Sequence, residues 1–222
     1  MKRIFSLIIL SVVAVVSTSA RIDTDWGGLG LRLGLDVNCP TRWHANNKSV
    51  KPYKPGGGFY FGAVYNIPLS GSFYFEPGAS IFYDTYRFDD LVMNTVDGAS
   101  QVTTSPTVKK FGLRMPIMFG YRFGLTDKIS LMLSTGPEVS VGIIGKVDID
   151  KRLDWGAGGA PGTSLFSDFG HRRHDIAWRI GAAIPVEEYY FGIDVALGLI
   201  DQHKGSPRFH ENRVSFSIGY NF

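Results

Sequence analysis

No stretch of this chain is apolar for long enough to cross a membrane as a helix. Such a span needs about 20 consecutive apolar residues, and the only sustained run, Ile4 to Val16, is shorter and lies at the extreme N-terminus. Cysteine is almost absent: Cys39 stands alone, which excludes an intrachain disulfide framework and reads as a loop thiol. Charge is sparse, 19% of 222 residues, and nearly balanced. Without Lys2 and Arg3 the count is 21 basic against 20 acidic residues, so the chain carries no nucleic-acid signature. What is abundant is glycine, 27 residues, and aromatic side chains, with 16 Phe, 10 Tyr and 4 Trp. That composition favours many short strands over helices or disorder.

The first twenty residues have the layout of an export signal. Lys2 and Arg3 give a basic start, Ile4 to Val16 an apolar centre, and Thr18-Ser19-Ala20 a small-x-small cleavage site. Residues 1–20 are therefore expected to be removed, leaving one domain over 21–222. No Cys sits at the expected cleavage point, which excludes a lipoprotein signal.

Strict alternation then dominates the chain. Successive side chains of a strand point to opposite faces, so an apolar residue at every second position marks one apolar surface. Eight segments show it: Gly28–Val37, Gly58–Asn66, Ser72–Asp84, Phe111–Phe123, Ile129–Ile143, Ile176–Ile184, Tyr189–Leu199 and Arg213–Phe222. Short connections at 66–72, 124–128 and 185–188 alternate with long ones at 38–57, 85–107, 146–175 and 200–212. An even number of antiparallel strands with short turns at one end and long loops at the other predicts an eight-stranded, up-and-down transmembrane β-barrel. It has four long outer loops and three short periplasmic turns. Pro77, Pro116 and Pro137 fall inside predicted strands, and bulges are expected there.

A soluble lipocalin-like barrel is the competing all-β reading, and the two faces decide between them. The polar face carries Arg32, Asp36, Glu76, Asp84, Arg114, Arg122, Glu138, Arg179, Asp194 and Arg213, among many Gly and Ser. The apolar face carries more large rings than an eight-stranded interior accommodates. The charged set is therefore assigned to the lumen, as a paired plug rather than a pore, because an isolated buried charge is costly. Tyr65, Phe73, Tyr121, Phe123, Tyr189, Tyr220 and Phe222 form the expected aromatic girdle at the short-turn end, and Phe59, Tyr83, Phe111 and Trp178 its counterpart at the loop end.

The segment Phe111-Gly112-Leu113-Arg114-Met115-Pro116-Ile117-Met118-Phe119-Gly120-Tyr121-Arg122-Phe123 resembles a proline-centred strand of PorT-like outer-membrane β-barrel domains. The architectural likeness runs from Trp26 to Phe222. It implies a small barrel of the OmpA or OmpX kind in a Gram-negative outer membrane. One PorT-like branch serves a protein-secretion apparatus. The C-terminal strand ending in aromatic Phe222 resembles the signal that barrel-assembly machinery reads.

Between Asn38 and Gly57 there is no acidic residue, whereas Arg42, His44, Lys48, Lys51 and Lys54 are present. Arg42, Lys48, Lys51 and Lys54 are candidates for contact with lipopolysaccharide phosphate or an anionic partner, against the plainer reading of a solvated loop. The Gly-rich stretch 156–162 lacks the Gly-Lys-Ser/Thr ending of a phosphate-binding loop. His171, His174 and Asp175 invite a metal reading, but no regular element sets their geometry. All five histidines fall in predicted loops, and no Ser-His-acid set is placed on neighbouring strands. The expectation is a non-enzymatic outer-membrane protein without catalytic residue, cofactor or metal, whose partners are outer-membrane lipid and envelope or secretion proteins. A lipid-modifying enzyme is the alternative in a different class.

Overall fold

The computed structural model describes residues 27–41, 43–45, 48–50, 53–89, 91–94, 98, 100–126, 129–148, 164–204 and 209–222. The segment expected to be an export signal, the Gly-rich stretch 156–162, and the candidates Arg42 and Lys51 lie outside them. Eight long strands form the wall: β1 (Gly28–Pro40), β2 (Gly56–Pro68), β3 (Phe73–Phe88), β4 (Thr107–Gly124), β5 (Ser130–Asp148), β6 (His174–Val186), β7 (Tyr189–Gly198) and β8 (Glu211–Asn221). Each pairs antiparallel with its chain neighbour, and β8 returns to β1, with Leu33 opposite Ile218, so that the sheet closes. The described residues contain no helix. No edge is left open, so the backbone of every wall strand is paired on both sides, the condition for strands to cross hydrocarbon.

The alternation read from the sequence is the alternation of burial. Along β1, Leu33, Leu35 and Val37 are exposed while Arg32, Gly34 and Asp36 are buried. Phe119 and Leu197 also face outward, opposite to what a soluble barrel packed around its apolar side chains requires. Large rings nevertheless enter the lumen: Tyr60, Tyr74 and Phe82 are buried there. They fit because glycine stands across from them. A Cβ on Gly34 would come 2.1 Å from the Tyr60 ring, and one on Gly120 would come 2.4 Å from that of Tyr74.

The short turns cost few residues. Leu69 donates its N–H to the Phe73 carbonyl around Gly71, whose φ of 57° suits glycine, and Glu187 takes a left-handed φ of 54° between β6 and β7. Three expectations need correction. The prolines do not shift the register: pairing skips the positions beside Pro77, Pro116 and Pro137 and resumes in the same alignment, because a missing N–H donor removes a bond without requiring an extra residue. The register shift lies instead between Gly142 and Ile144. Cys39 is half-buried on β1, opposite Asn212, rather than in a loop. Finally, β3, β4 and β5 extend well past the predicted ends, to 16, 18 and 19 residues, so one wall rises above the others on the loop side.

Short strands lie in the outer loops. Trp43–Ala45 pairs with Lys48–Val50, and Leu91–Asn94 with Gln101–Thr104. Tyr53–Lys54 adds to β3 through Phe88 and Arg87.

Candidate functional site

The lumen holds a chain of ion pairs that passes through seven of the eight strands. Asp84 on β3 meets Arg114 on β4, which donates to Asp36 on β1 at 2.6 Å. Asp36 lies 3.6 Å from Arg213 on β8, and Arg213 donates to Glu138 on β5 at 2.7 Å. Glu138 accepts from Arg179 on β6 at 3.2 Å, and Arg179 donates to Asp194 on β7 at 2.7 Å. Bidentate guanidinium groups suit this role, since each bridges two carboxylates on different strands. The Ser215 hydroxyl adds a 2.6 Å bond to Asp36, and the Arg114 guanidinium stacks on the Phe82 ring at 4.1 Å.

Toward the short turns a separate pair stands alone in level. Arg32 lies 3.7 Å from Glu76, donates to the Asn221 side chain at 2.8 Å and covers the Tyr190 ring at 3.9 Å. Between this pair and the seven-residue chain remains a cavity of about 30 Å³, lined among others by Arg32, Tyr60, Glu76, Arg179, Tyr190 and Asp194. Glu76 Oε2 and Asp194 Oδ1 are buried there without a hydrogen-bond donor from the protein, and the space suits roughly one or two waters. Arg122, placed with this network from the sequence, sits apart at the turn end, where its Nε donates to Ser130 at 2.7 Å. Nine of the ten lumenal candidates are thus brought together in these two groups of ion pairs.

Toward the loops, the lumen continues into a pair that the sequence reading missed. Lys110 on β4 bonds Glu211 on β8, and the Tyr86 hydroxyl donates to the same carboxylate at 2.8 Å. Above it the chemistry turns apolar. Tyr53, Tyr86, Val108, Val147, Leu165, Phe166 and Phe209 form one buried cluster, with Phe88 and Phe169 packed against it. Segments from the first, third and fourth long loops meet in this cap. Tyr53 stacks on Phe209 with centroids 4.8 Å apart, Leu165 donates its N–H to Gly145, and Gln202 to Phe209.

His171 is the polar element of the cap. Its Nδ1 faces the Phe169 carbonyl at 3.3 Å and its Nε2 faces the Tyr53 hydroxyl at 3.3 Å, the arrangement of a neutral ring that donates once and accepts once. Burial pushes its pKa down to about 4, partly opposed by the Glu211 carboxylate. His174 points to solvent two residues before the apolar run of β6, so the two imidazoles do not converge.

Outside, the candidate girdle residues cluster at the turn end: Phe73 packs edge-on against Tyr121 at 4.8 Å, Tyr121 meets Phe123 at 4.6 Å, and Tyr220 lies between Tyr189 and Phe222. Tyr65 is exposed on β2. Of the loop-one cations, Lys48 lies on a described strand, and Lys54 reaches Asp89 at 3.5 Å.

Among solved structures the fold is similar to Neisserial surface protein A (11% identity, 88% of this chain and 97% of that one, TM-score 0.47). It is similar also to OprG of Pseudomonas aeruginosa (13%, 88% and 96%, 0.42) and to Ail, the attachment invasion locus protein of Yersinia pestis (13%, 88% and 99%, 0.40), the last solved in complex with the heparin analogue sucrose octasulfate. No curated protein matches the chain in sequence. The model of the outer membrane protein beta-barrel domain family matches residues 27–204. With its closed eight-stranded wall and apolar outer face, the chain belongs to that family and is an outer-membrane protein.

Proposed function

We propose that this barrel is a closed, non-enzymatic element of the outer membrane that anchors and presents its outer loops, rather than a channel. The observation that carries this reading is the unbroken ion-pair chain from Asp84 to Asp194, which ties seven strands together across the lumen. The cavity beside it holds only about 30 Å³, whereas water-filled channels use about twice as many strands. The apolar cap supports closure a second time at the outer mouth. The buried imidazole of His171 is held by Tyr53 and a backbone carbonyl, a packing role within the cap. In this reading Lys48 and Lys54, with Arg42 and Lys51, present a basic first loop to anionic outer-leaflet lipid or an envelope partner, and the aromatic clusters anchor the short-turn end at the interface.

The test is solute flux through purified protein refolded into vesicles. Entry of a small sugar no faster than in protein-free vesicles is the expected result, and sugar-permeable vesicles would sink the closed-barrel reading. A part in a protein-secretion apparatus, suggested by the PorT-like character of Phe111–Phe123, predicts instead that periplasmic or inner-membrane subunits co-purify stably with the barrel.

A further inference from the structure

The loop-end rim differs from one wall to another. Phe59, Tyr83, Phe111 and Ile144 are cross-strand neighbours on β2, β3, β4 and β5 and form the last apolar row of that wall. At the next outward position, about 7 Å further along the strand, Lys109 stands directly opposite Lys146. One position beyond, Arg87 is in register with Thr107 and Asp148, and Lys54 pairs with Arg87 from the added short strand. The β1 and β8 wall has Cys39 and Asn212 at its rim, and no cation faces outward there among the described residues.

Like charges directly opposite on paired strands are destabilising, yet this wall contains two such pairs, Lys109 with Lys146 and Lys54 with Arg87. Among the described residues the acids at this rim are fewer than the cations: Asp148 bonds Lys109 and Asp89 lies 3.5 Å from Lys54, two carboxylates against four cations. Repulsion of this kind turns into attraction when an anion sits between the charges. The described surface that continues from this rim is the lipid-facing row beneath it, and Lys and Arg stems are long enough to lie along Tyr83 and Phe111 while their heads reach the headgroup level.

We propose that the rim formed by Arg87, Lys109 and Lys146 is a binding site for the phosphate group of a phosphate-bearing outer-leaflet lipid, whose acyl chains lie on Tyr83, Phe111 and Ile144. The site deepens the reading above and rests on its membrane placement. It is distinct from the first-loop cations, because it is built on the rigid wall at the level where headgroups begin.

The probe is bisphosphorylated lipid A, compared in phosphatidylcholine vesicles with and without about one lipid in ten replaced by it. The readout is the thermal midpoint at which the folded, fast-migrating gel band is lost. Wild-type protein is expected to gain about 5 °C from the phosphorylated lipid. The double variant Lys109→Gln with Lys146→Gln loses that gain, the Lys109→Arg and Lys146→Arg pair keeps it, and in pure phosphatidylcholine the Gln pair is at least as stable as wild type because the repulsion has been removed. An equal gain in wild type and the Gln pair overturns the site. So does the same gain from inorganic phosphate added to neutral vesicles, which would mark a free-anion site. Failure to form any heat-sensitive folded band in neutral vesicles is a different result: it would break the membrane-barrel reading itself, and the site with it.

Discussion

In the middle of the barrel seven charged side chains from seven strands hold one another, while at the outer mouth seven apolar side chains, four of them from the long loops, pack into a single cluster. Both fill the same bore, but they respond to change in opposite ways. An ion pair out of water depends on each partner, since removing one leaves the other buried and uncompensated. An apolar cluster has no such pairing rule: it loses contacts in proportion to volume removed. The ionic level is therefore bound to the register of the wall, and the apolar level is free to open as loops without unfolding the strands beneath it.

The sharpest way to break that contrast is at Arg114. Changing Arg114→Met leaves Asp84 without its ion-pair partner and leaves Asp36 only Ser215 and the more distant Arg213, and the whole barrel is expected to lose about 3–5 kcal/mol, measured by denaturant unfolding of the protein refolded into vesicles. Adding Asp84→Asn to the same protein should recover part of the loss, as one orphaned charge fewer remains. Equal losses in the single and double variants would show that the charges do not act as a connected set.

The cap answers differently. Phe209 is fully buried against Tyr53 and His171, so Phe209→Ala costs about 3 kcal/mol of local packing. That cost falls on opening of the loops rather than on the wall: protease cleavage in the outer loops of the folded protein should speed up about a hundredfold, with the denaturant midpoint of the barrel nearly unmoved. A midpoint that falls as far as for Arg114→Met would mean that cap and wall are one cooperative unit.

The same contrast explains what was legible in the sequence. The lumenal charges were legible because Arg32, Asp36, Arg114 and Glu138 sit on strands whose other face is continuously apolar, so the period of two assigns each to a side. Above Phe111 and Ile144 the outward face becomes Lys109 and Lys146, polar like much of the surroundings. The alternation loses its contrast there, and with it went the true ends of β3 to β5 and the Lys110–Glu211 pair. The cap was invisible for another reason. Tyr53, Leu165 and Phe209 have no periodic neighbours and meet only through loops separated by scores of residues. Arg122 has the parity of the lumenal set but lies at the turn end of its strand, where its Nε meets Ser130. The prolines misled because a lost donor was read as an inserted residue.

His171 offers the finest test, since it makes the cap sensitive to pH. Burial favours its neutral form, Glu211 and the Phe169 carbonyl favour the charged form, and Lys110 and His203 oppose it, while the Tyr53 hydroxyl meets the other ring nitrogen. With burial dominant, the folded-state pKa lies at about 4 against an ordinary value of 6.5, so the closed cap prefers the unprotonated ring. Its contribution is complete above about pH 6.5 and is lost progressively as the pH falls toward 4, where both closed and open forms carry the proton. By pH 5 the closed cap should be weakened by about 2 kcal/mol, seen as a roughly tenfold or greater rise in loop cleavage by an acid-tolerant protease. His171→Gln, which keeps polar atoms but does not titrate in this range, should flatten that rise. A rise that survives His171→Gln would assign the pH response to another group.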